Sequence, residues 1–434
     1  LERTEEKTPR RWLIIAALIV AGESVFVLPF VLARVFRPTL LDVFGLTNLE
    51  LGAAFSVYGL VAMAAYFLGG PLADRFPARA MLATALVSTA AGGLVLATVP
   101  PISVLVPLYA YWGITTIALF WAPLIRATRE WGGDNSQGRA FGLLDGGRGL
   151  LAAVMGSITV AVFTALLPGD YETVSLAQRT EALRAVILVA CAVTCGAALL
   201  VWVVLPKNDL ERDAGRSSET PHLSLEGVRR VLAMPAVWLQ GAIILCAYTG
   251  FKAIDDFSLY AHEVVGLDDV DAAKAGVVAL WVRPVAAIGA GYLADRFGAP
   301  AMTILCFALL AAGSVTLASG VIGAGMVWMF LITIVCSSMG IFALRGLYFA
   351  IMGDGKVPLA YTGSAVGFVS LIGFTPDVFM GPLMGYLIDR SPGVTGHLHV
   401  FWVVSGFALL GLVASYAFSR VTRAPVAGRP SRLS

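Results

Sequence analysis

Charge is what this sequence has least of: 30 basic and 28 acidic residues in 434, or 13%. A soluble globular chain carries about 25%. The shortfall runs from end to end, with no soluble domain set apart from a hydrophobic tail. That excludes a disordered chain, a nucleic-acid binder and an ordinary soluble enzyme. Cysteine is sparse as well. Cys191, Cys195, Cys246, Cys306 and Cys336 all lie in apolar stretches without metal-ligand spacing and read as free thiols packed among helices. The histidines His222, His262, His397 and His399 fall in loops or at the end of an apolar run, and no metal site is assigned to them. No G-x-x-x-x-G-K-S/T loop occurs and no soluble domain is present to hold one, so neither ATP nor a cofactor is expected. No nucleophile, base or metal cluster gathers at interface depth, which argues against a membrane enzyme.

What abounds is apolar sequence: 58% of residues, with a mean hydropathy of +0.83. A membrane-spanning helix takes about 20 mostly apolar residues. Runs of that kind fall near 12–36, 51–70, 80–99, 101–125, 140–167, 183–205, 235–264, 272–294, 300–319, 324–350, 361–388 and 399–420. The first, from Trp12, is too long for the apolar core of a signal peptide and is taken as a span. The expected fold is an all-α integral membrane protein of 12 transmembrane helices. One long hydrophilic stretch, Pro206 to Arg230, interrupts the pattern and divides the chain into a six-helix bundle over 1–205, a linker over 206–230 and a second six-helix bundle over 231–434. Nineteen basic residues fall on the side shared by the termini and the linker, against Arg37, Arg179, Arg184, Lys274 and Arg390 on the other. The positive-inside rule therefore places both termini and the linker in the cytoplasm. The expected location is a bacterial inner (plasma) membrane.

An ionisable side chain at mid-helix depth costs about 2.5–3.5 kcal/mol on insertion scales. This chain places Glu23 and Arg34 in the first span, Arg126 at the end of the fourth, and Asp145 and Arg148 in the fifth. In the second half come Lys252, Asp255, Asp256, Arg283, Arg345 and Asp377. Asp145 and Arg148 stand three apart on one helix face, and Lys252 precedes Asp255 and Asp256 by three and four residues. Any one of these groups could be half of a structural ion pair. Taken together, both halves send bases towards a shared centre, and a cavity holding Arg34, Arg148 and Lys252 would attract an anion. Arginine's planar fork suits carboxylate, phosphate or sulfonate oxygens. Glu23 has two readings: a desolvated carboxylate that takes up a proton, or the partner of a base on a neighbouring span. Tyr66 and Tyr260 could line such a cavity or simply pack.

The halves repeat one another. Gly70-Pro-Leu-Ala-Asp74-Arg75-Phe76 returns 221 residues later as Gly291-Tyr-Leu-Ala-Asp295-Arg296-Phe297, each copy closing the second span of its half. Two six-helix repeats with a site between them is a transporter plan. The G-x-L-A-D-R-F pattern, with Arg79 after the first copy, resembles the loop signature of the major facilitator superfamily. That resemblance implies two bundles that open alternately to each side, with Asp74, Arg75, Arg79, Asp295 and Arg296 controlling the switch. The plainer alternative is that they cap loops and anchor the positive side.

A narrower resemblance lies in Trp121-Ala-Pro123-Leu-Ile-Arg126-Ala-Thr-Arg-Glu-Trp131, then Gln137-Gly138, then Asp145-Gly-Gly-Arg148. These segments, with Thr362-Gly-Ser-Ala-Val-Gly367-Phe368 and Gly385-Tyr-Leu-Ile-Asp389, are similar to the organophosphate:phosphate antiporter branch. The resemblance implies that Lys252 is the span-7 base gripping the anion, that Arg34 is its span-1 counterpart, about a helical turn out of register, and that Arg148 and Asp145 replace that branch's histidine and asparagine. Tyr66 stands about where phosphate exchangers carry a lysine. These departures keep the anion preference and leave phosphate itself open.

The expectation is a secondary active transporter, not an enzyme, that moves a small organic anion such as a sugar phosphate, sulfonate or sugar acid. Anion exchange is the first coupling considered; proton symport of an organic anion or inorganic oxyanion is the alternative. A ligand-binding receptor that no longer transports is a further one. The expected substrate-binding residues are Arg34, Arg148, Lys252, Tyr66, Asp256 and Tyr260, with Glu23 for proton coupling. Arg126 and Asp145 join the paired loops in gating. The expected partners are a small anionic metabolite and the lipid bilayer, with no metal and no nucleic acid, and the protein is expected to be a monomer.

Overall fold

The computed structural model describes residues 8–132, 137–167, 174–206, 232–348, 350–352, 355 and 362–423. All of the expected linker beyond Pro206 lies outside them, His222 with it. So do the side chains of Asp74, Gln137, Gly138 and residues 362–367. Among the described residues every regular element is helical.

Among the described residues, twelve helices are long and apolar enough to cross a membrane. They are span 1 (Arg11–Val35), span 2 (Asn48–Ala73), span 3 (Ala78–Leu96), span 4 (Ile102–Gly132), span 5 (Ala140–Leu166) and span 6 (Leu176–Val204). The second half contains span 7 (Pro235–Glu263), span 8 (Asp269–Phe297), span 9 (Ala299–Ala318), span 10 (Val327–Leu347), span 11 (Phe368–Arg390) and span 12 (Val394–Thr422). The architecture is two six-helix bundles of a multi-pass membrane protein.

Local chemistry sets the ends. Thr47 caps span 2 by accepting from Glu50 N, while the Glu50 carboxylate accepts from Thr47 N at 2.8 Å. The same device at Ser175 and Gln178 starts span 6 at Leu176, several residues before the apolar run at 183. Asp268 caps span 8. Span 1 widens into a π-helical stretch at Val27–Val31, around Pro29, and its Pro29 carbonyl accepts from the Tyr109 hydroxyl at 3.0 Å. The chain leaves helical geometry at Phe36 and turns into a short helix, Arg37–Phe44, which ends at Gly45 with φ near +59°.

Within each half, spans 3 and 6, 9 and 12, and 8 and 10 pack side by side. Between the halves the seam is span 2 on span 11 and span 5 on span 8. Span 2 meets span 11 backbone to backbone: a Cβ on Gly52 would overlap the Gly381 carbonyl, and one on Gly385 would overlap Asn48 and Leu49. Glycine alone permits this approach. These close approaches of span 2 and span 11 lie in the part of the seam away from the termini. At the termini face, Arg75, Asp295 and Arg296 are exposed, and positions 70, 289 and 291 face open space. The seam is shut on the face opposite the termini.

Candidate functional site

Two ionic clusters bridge the halves. The first lies towards the shut face. Span 7 tightens into a 3₁₀ turn at Ile254–Asp256, which aims Asp255 at the end of span 1. Arg34 Nε donates to Asp255 Oδ1 at 2.6 Å. Lys252 Nζ lies 3.2 Å from Asp255 Oδ2 and 3.5 Å from Asp377 Oδ1, and the Tyr248 hydroxyl donates to Asp377 Oδ2 at 3.0 Å. Phe30 and Phe55 face the Lys252 ammonium at 5.2 and 5.4 Å. Arg37 reaches the Asp255 carbonyl and Asn48 Oδ1. Asp389, at the end of span 11, accepts from Asn48 N at 3.1 Å and Leu49 N at 2.7 Å, so a carboxylate of one half caps a helix of the other.

The second cluster sits at mid-span. Arg148 Nε donates to the Gly22 carbonyl at 3.0 Å and lies 3.4 Å from Glu23 Oε2. Arg283, from the opposite half, places Nη1 3.4 Å from both Glu23 oxygens and Nη2 3.4 Å from Asp145 Oδ1. Glu23 is thus faced by two guanidiniums, one from each half. Burying such charges is tolerable because each is paired; removing one partner of a buried pair costs about 3–5 kcal/mol.

One base stands apart. Arg345 of span 10 lies over the Phe251 ring at 3.9 Å and near Tyr248 at 5.7 Å, and makes no ion pair or hydrogen bond among the described residues. Glu23 and Asp145 act on it only through their field. Tyr66 lies within the electrostatic reach of Asp377, Tyr348, Arg148 and Arg345 and is 45% exposed. The Asp145 side chain is exposed to the same degree, 45%. Arg34, Arg37, Arg148, Lys252, Arg283 and Arg345 therefore stand against Glu23, Asp145, Asp255, Asp377 and Asp389, and of these bases Arg37 and Arg345 make no ion pair among the described residues.

Of the residues expected to bind substrate, Arg34, Arg148, Lys252 and Tyr66 come together at the seam. Asp256 and Tyr260 do not. Asp256 is fully buried and meets His397 of span 12 at 2.8 Å. Tyr260 donates to the Leu317 carbonyl at 3.3 Å and stacks on Phe330, which makes it a packing residue of the second half. Consecutive carboxylates on one turn cannot share a direction: Asp255 faces the seam, so Asp256 faces away. His397, placed by sequence at a span end, lies in the first turns of span 12 and is fully buried.

Among the gating candidates, Arg126 donates from Nη1 to the Ala73 carbonyl and from Nη2 to that of Phe76 at 3.4 Å. It ties the end of span 4 to the loop after span 2 within one half, and pairs with Glu130 at 3.4 Å. Arg79 lies over Trp202 at 4.3 Å. Asp145 joins the mid-span cluster. Asp295 and Arg296 make no ion pair across the seam among the described residues. Sequence reasoning marked Arg283 and Arg345 as intramembrane charges without giving them a role, and missed Arg37 and Asn48. A charge in the middle of an apolar run was signal enough for the first two.

A Major Facilitator Superfamily profile matches residues 12–374. The inner membrane protein YqcE of Escherichia coli K12 is 28% identical over 424 residues, covering 94% of each chain. The inner membrane protein YihN of the same organism is 24% identical over 417 residues, covering 94% of this chain and 95% of its own. Among solved structures, a bacterial homolog to the human lysosomal transporter Spinster, inward-facing and unoccupied, superposes with a TM-score of 0.69 at 16% identity, covering 97% of this chain and all of that one. The nucleoside transporter NupG superposes at 0.69 and 13% identity, covering 96% of this chain and all of that one.

Proposed function

The chain belongs to the Major Facilitator Superfamily, and from that premise we propose that it carries a small organic anion across the membrane by alternating access. Secondary transport of a small solute is what the family does; the anion is the finer reading. One observation carries it: Arg345, which makes no ion pair among the described residues, is seated on Phe251 beside clusters in which Arg34, Arg148, Lys252 and Arg283 are each matched by acids and Arg37 is held by the Asp255 carbonyl and Asn48. A ligand with one negative charge would neutralise the site. That favours a sulfonate or a sugar acid over a doubly charged phosphate ester, and is where this site departs from the organophosphate branch. NupG is named for a nucleoside, so the fold leaves the substrate's charge to the side chains.

The distribution of basic residues puts both termini and the linker in the cytoplasm. The shut face is then the outer one and the protein stands open inward. The bundles over 1–205 and 231–434 would rock about the seam, with Asp74, Arg75, Arg79, Arg126, Asp295 and Arg296 bracing the inner face when it shuts. The antiporter-like segments favour exchange of one anion for another. Glu23 lies 3.4 Å from both Arg148 and Arg283, which supports the ion-pair reading over proton uptake at this residue; a proton-coupled route has its own observation, taken up below.

The test is a thermal-shift screen of the purified protein against phosphorylated, sulfonated and carboxylated metabolites, followed by uptake of the stabilising compound into proteoliposomes. Ligand at a hundred times its Kd adds about 2.7 kcal/mol to the folded state. The stabilisation and uptake seen with wild type should vanish in Arg345→Gln. An equal shift in both proteins refutes the Arg345 site, and binding without uptake would favour the receptor alternative.

A further inference from the structure

The transport seam leaves one buried titratable cluster unused. The His397 ring, fully buried in span 12, sets Nδ1 2.8 Å from Asp256 Oδ2 and Nε2 3.1 Å from Glu263 Oε2. Both carboxylates come from span 7. A neutral imidazole carries one N–H, so against two carboxylates one of these contacts would set a lone pair against an anion. Both contacts are hydrogen bonds only when the three groups share one further proton. The geometry is that of the proton-loaded cluster. The two ring nitrogens point to opposite sides, so the three groups do not converge on a cation.

The surroundings give the proton an entrance and a consequence. Glu263 ends span 7 at the face opposite the termini, and its side chain is 29% exposed. Asp256 is fully buried, and its Oδ1 has no partner. It is adjacent to Asp255, which grips Arg34 and Lys252 at the seam, and both sit on the same 3₁₀ turn. The titratable groups around the ring are Asp256, Glu263 and Tyr260 of span 7; farther out, Arg37 and His262 act on Glu263. No ion pair reaches His397 from spans 9 or 11 among the described residues.

We propose that His397, Asp256 and Glu263 form a proton-binding site, loaded from the face opposite the termini, which couples the opening of that face, and with it anion movement, to one proton. Its second half rests on the anion reading; its first does not. A proton from outer water binds Glu263 Oε2. That O–H bond breaks as His397 Nε2–H forms, and the Nδ1–H bond breaks as the Asp256 Oδ2–H bond forms, leaving the ring neutral again. Loss of the proton by the same route returns the N–H to Nδ1 and leaves the Nε2 lone pair facing the Glu263 carboxylate, a repulsion that span 7, which carries both Glu263 and the 254–256 turn, relieves by moving. Asp255 moves with it and loosens the seam.

Two arms test this. Spin labels at Thr98→Cys and Pro392→Cys, one on each half at the shut face, report its opening by double electron–electron resonance, in a variant with the five native cysteines replaced and no anion present. An equilibrium linked to one proton changes by up to about tenfold per pH unit. The open-to-shut ratio should respond in this way in the labelled parent and lose the response in His397→Gln and in the partly exposed Glu263→Gln. A parent without a pH response, or variants that keep it, overturns the site. In the second arm, D-gluconate is presented to proteoliposomes holding the pH dye pyranine, and its entry should acidify the lumen with the unlabelled wild type alone. Labels that respond while gluconate stays outside uphold the proton site and count against the anion. Gluconate entry without acidification, with silent labels, does the reverse.

Discussion

Replacing Asp389 should open the face that is shut in this structure. Asp389 accepts from Asn48 N, Asn48 Nδ2 and Leu49 N at 3.1, 3.1 and 2.7 Å, and so caps span 2 from the opposite half. A hydrogen bond to a charged group contributes about 1.5–3 kcal/mol, and a carboxylate at a helix N-terminus adds about 0.3–1 kcal/mol. Asp389 is only half-buried, and its donors find water once the face opens, so the whole set holds the shut state by roughly 2 kcal/mol. Asp389→Ala should therefore move the open-to-shut ratio about thirtyfold towards open, at 1.4 kcal/mol per factor of ten. Asp389→Asn keeps the shape and loses the charge, and should move it about fivefold. Both shifts are read from the Thr98–Pro392 label pair. A shut population unchanged in both variants would refute the idea that this carboxylate latches the face.

Three further outcomes follow from the same contacts. Gly381→Ala, whose new Cβ would crowd the Gly52 backbone, should lengthen the label distance and lower the Tm, while the same change at Gly406, which faces open space, should do neither. Lys252→Ala leaves Asp255 and Asp377 short of a cation and should lower stability by about 3–5 kcal/mol as well as abolishing uptake; the double change with Asp377→Asn should recover part of the stability without the uptake. Arg283→Gln takes one guanidinium from Glu23 and the nearer one from Asp145, and should lower the Tm by several degrees, as expected of about 3–5 kcal/mol in a chain of this size, while leaving the open-to-shut ratio within about twofold of wild type by the label pair.

The fold was legible because a span announces itself through about 20 consecutive apolar residues, and because the repeated G-x-L-A-D-R-F segments sit at matching places in the two halves. Span 6 shows where that reading stops. Its first turn is polar, and the Ser175–Gln178 cap that starts it is a local signal overridden by hydropathy. The candidate site was half legible. Arg34, Arg148 and Lys252 could be picked out because a charge in an apolar run needs a reason. Which acid answers which base could not, since Arg34 meets Asp255 from 221 residues away and Arg283 meets Glu23 from 260. Spacing along one helix predicted the weak pair: Asp145 stands 4.0 Å from Arg148 but 3.4 Å from Arg283. His397 does lie at a span end, in the first turn of span 12, but a histidine near an apolar run carries no sign of the two carboxylates waiting on another span.

The depths of the two clusters assign them different work in a rocking carrier. A rigid rotation of one bundle against the other moves groups in proportion to their distance from the pivot, so contacts at the ends of spans break and contacts at the middle persist. Glu23 lies midway along Arg11–Val35, and Arg283 midway along Asp269–Phe297. Their ion pair is at pivot depth, and the close approach of Gly149 to Arg283 packs the same point. Arg34 is the penultimate residue of span 1, and Asp389 that of span 11, so their contacts lie where displacement is greatest. On the alternating-access reading proposed above, the outer contacts would set which face is open, whereas the mid-span cluster would hold the halves together in both states. Arg345 belongs to neither set. It leaves span 10 near its termini-side end, but its guanidinium reaches Phe251 and Tyr248 at the middle of span 7, so an anion arriving along the seam would find its charge answered between the two clusters.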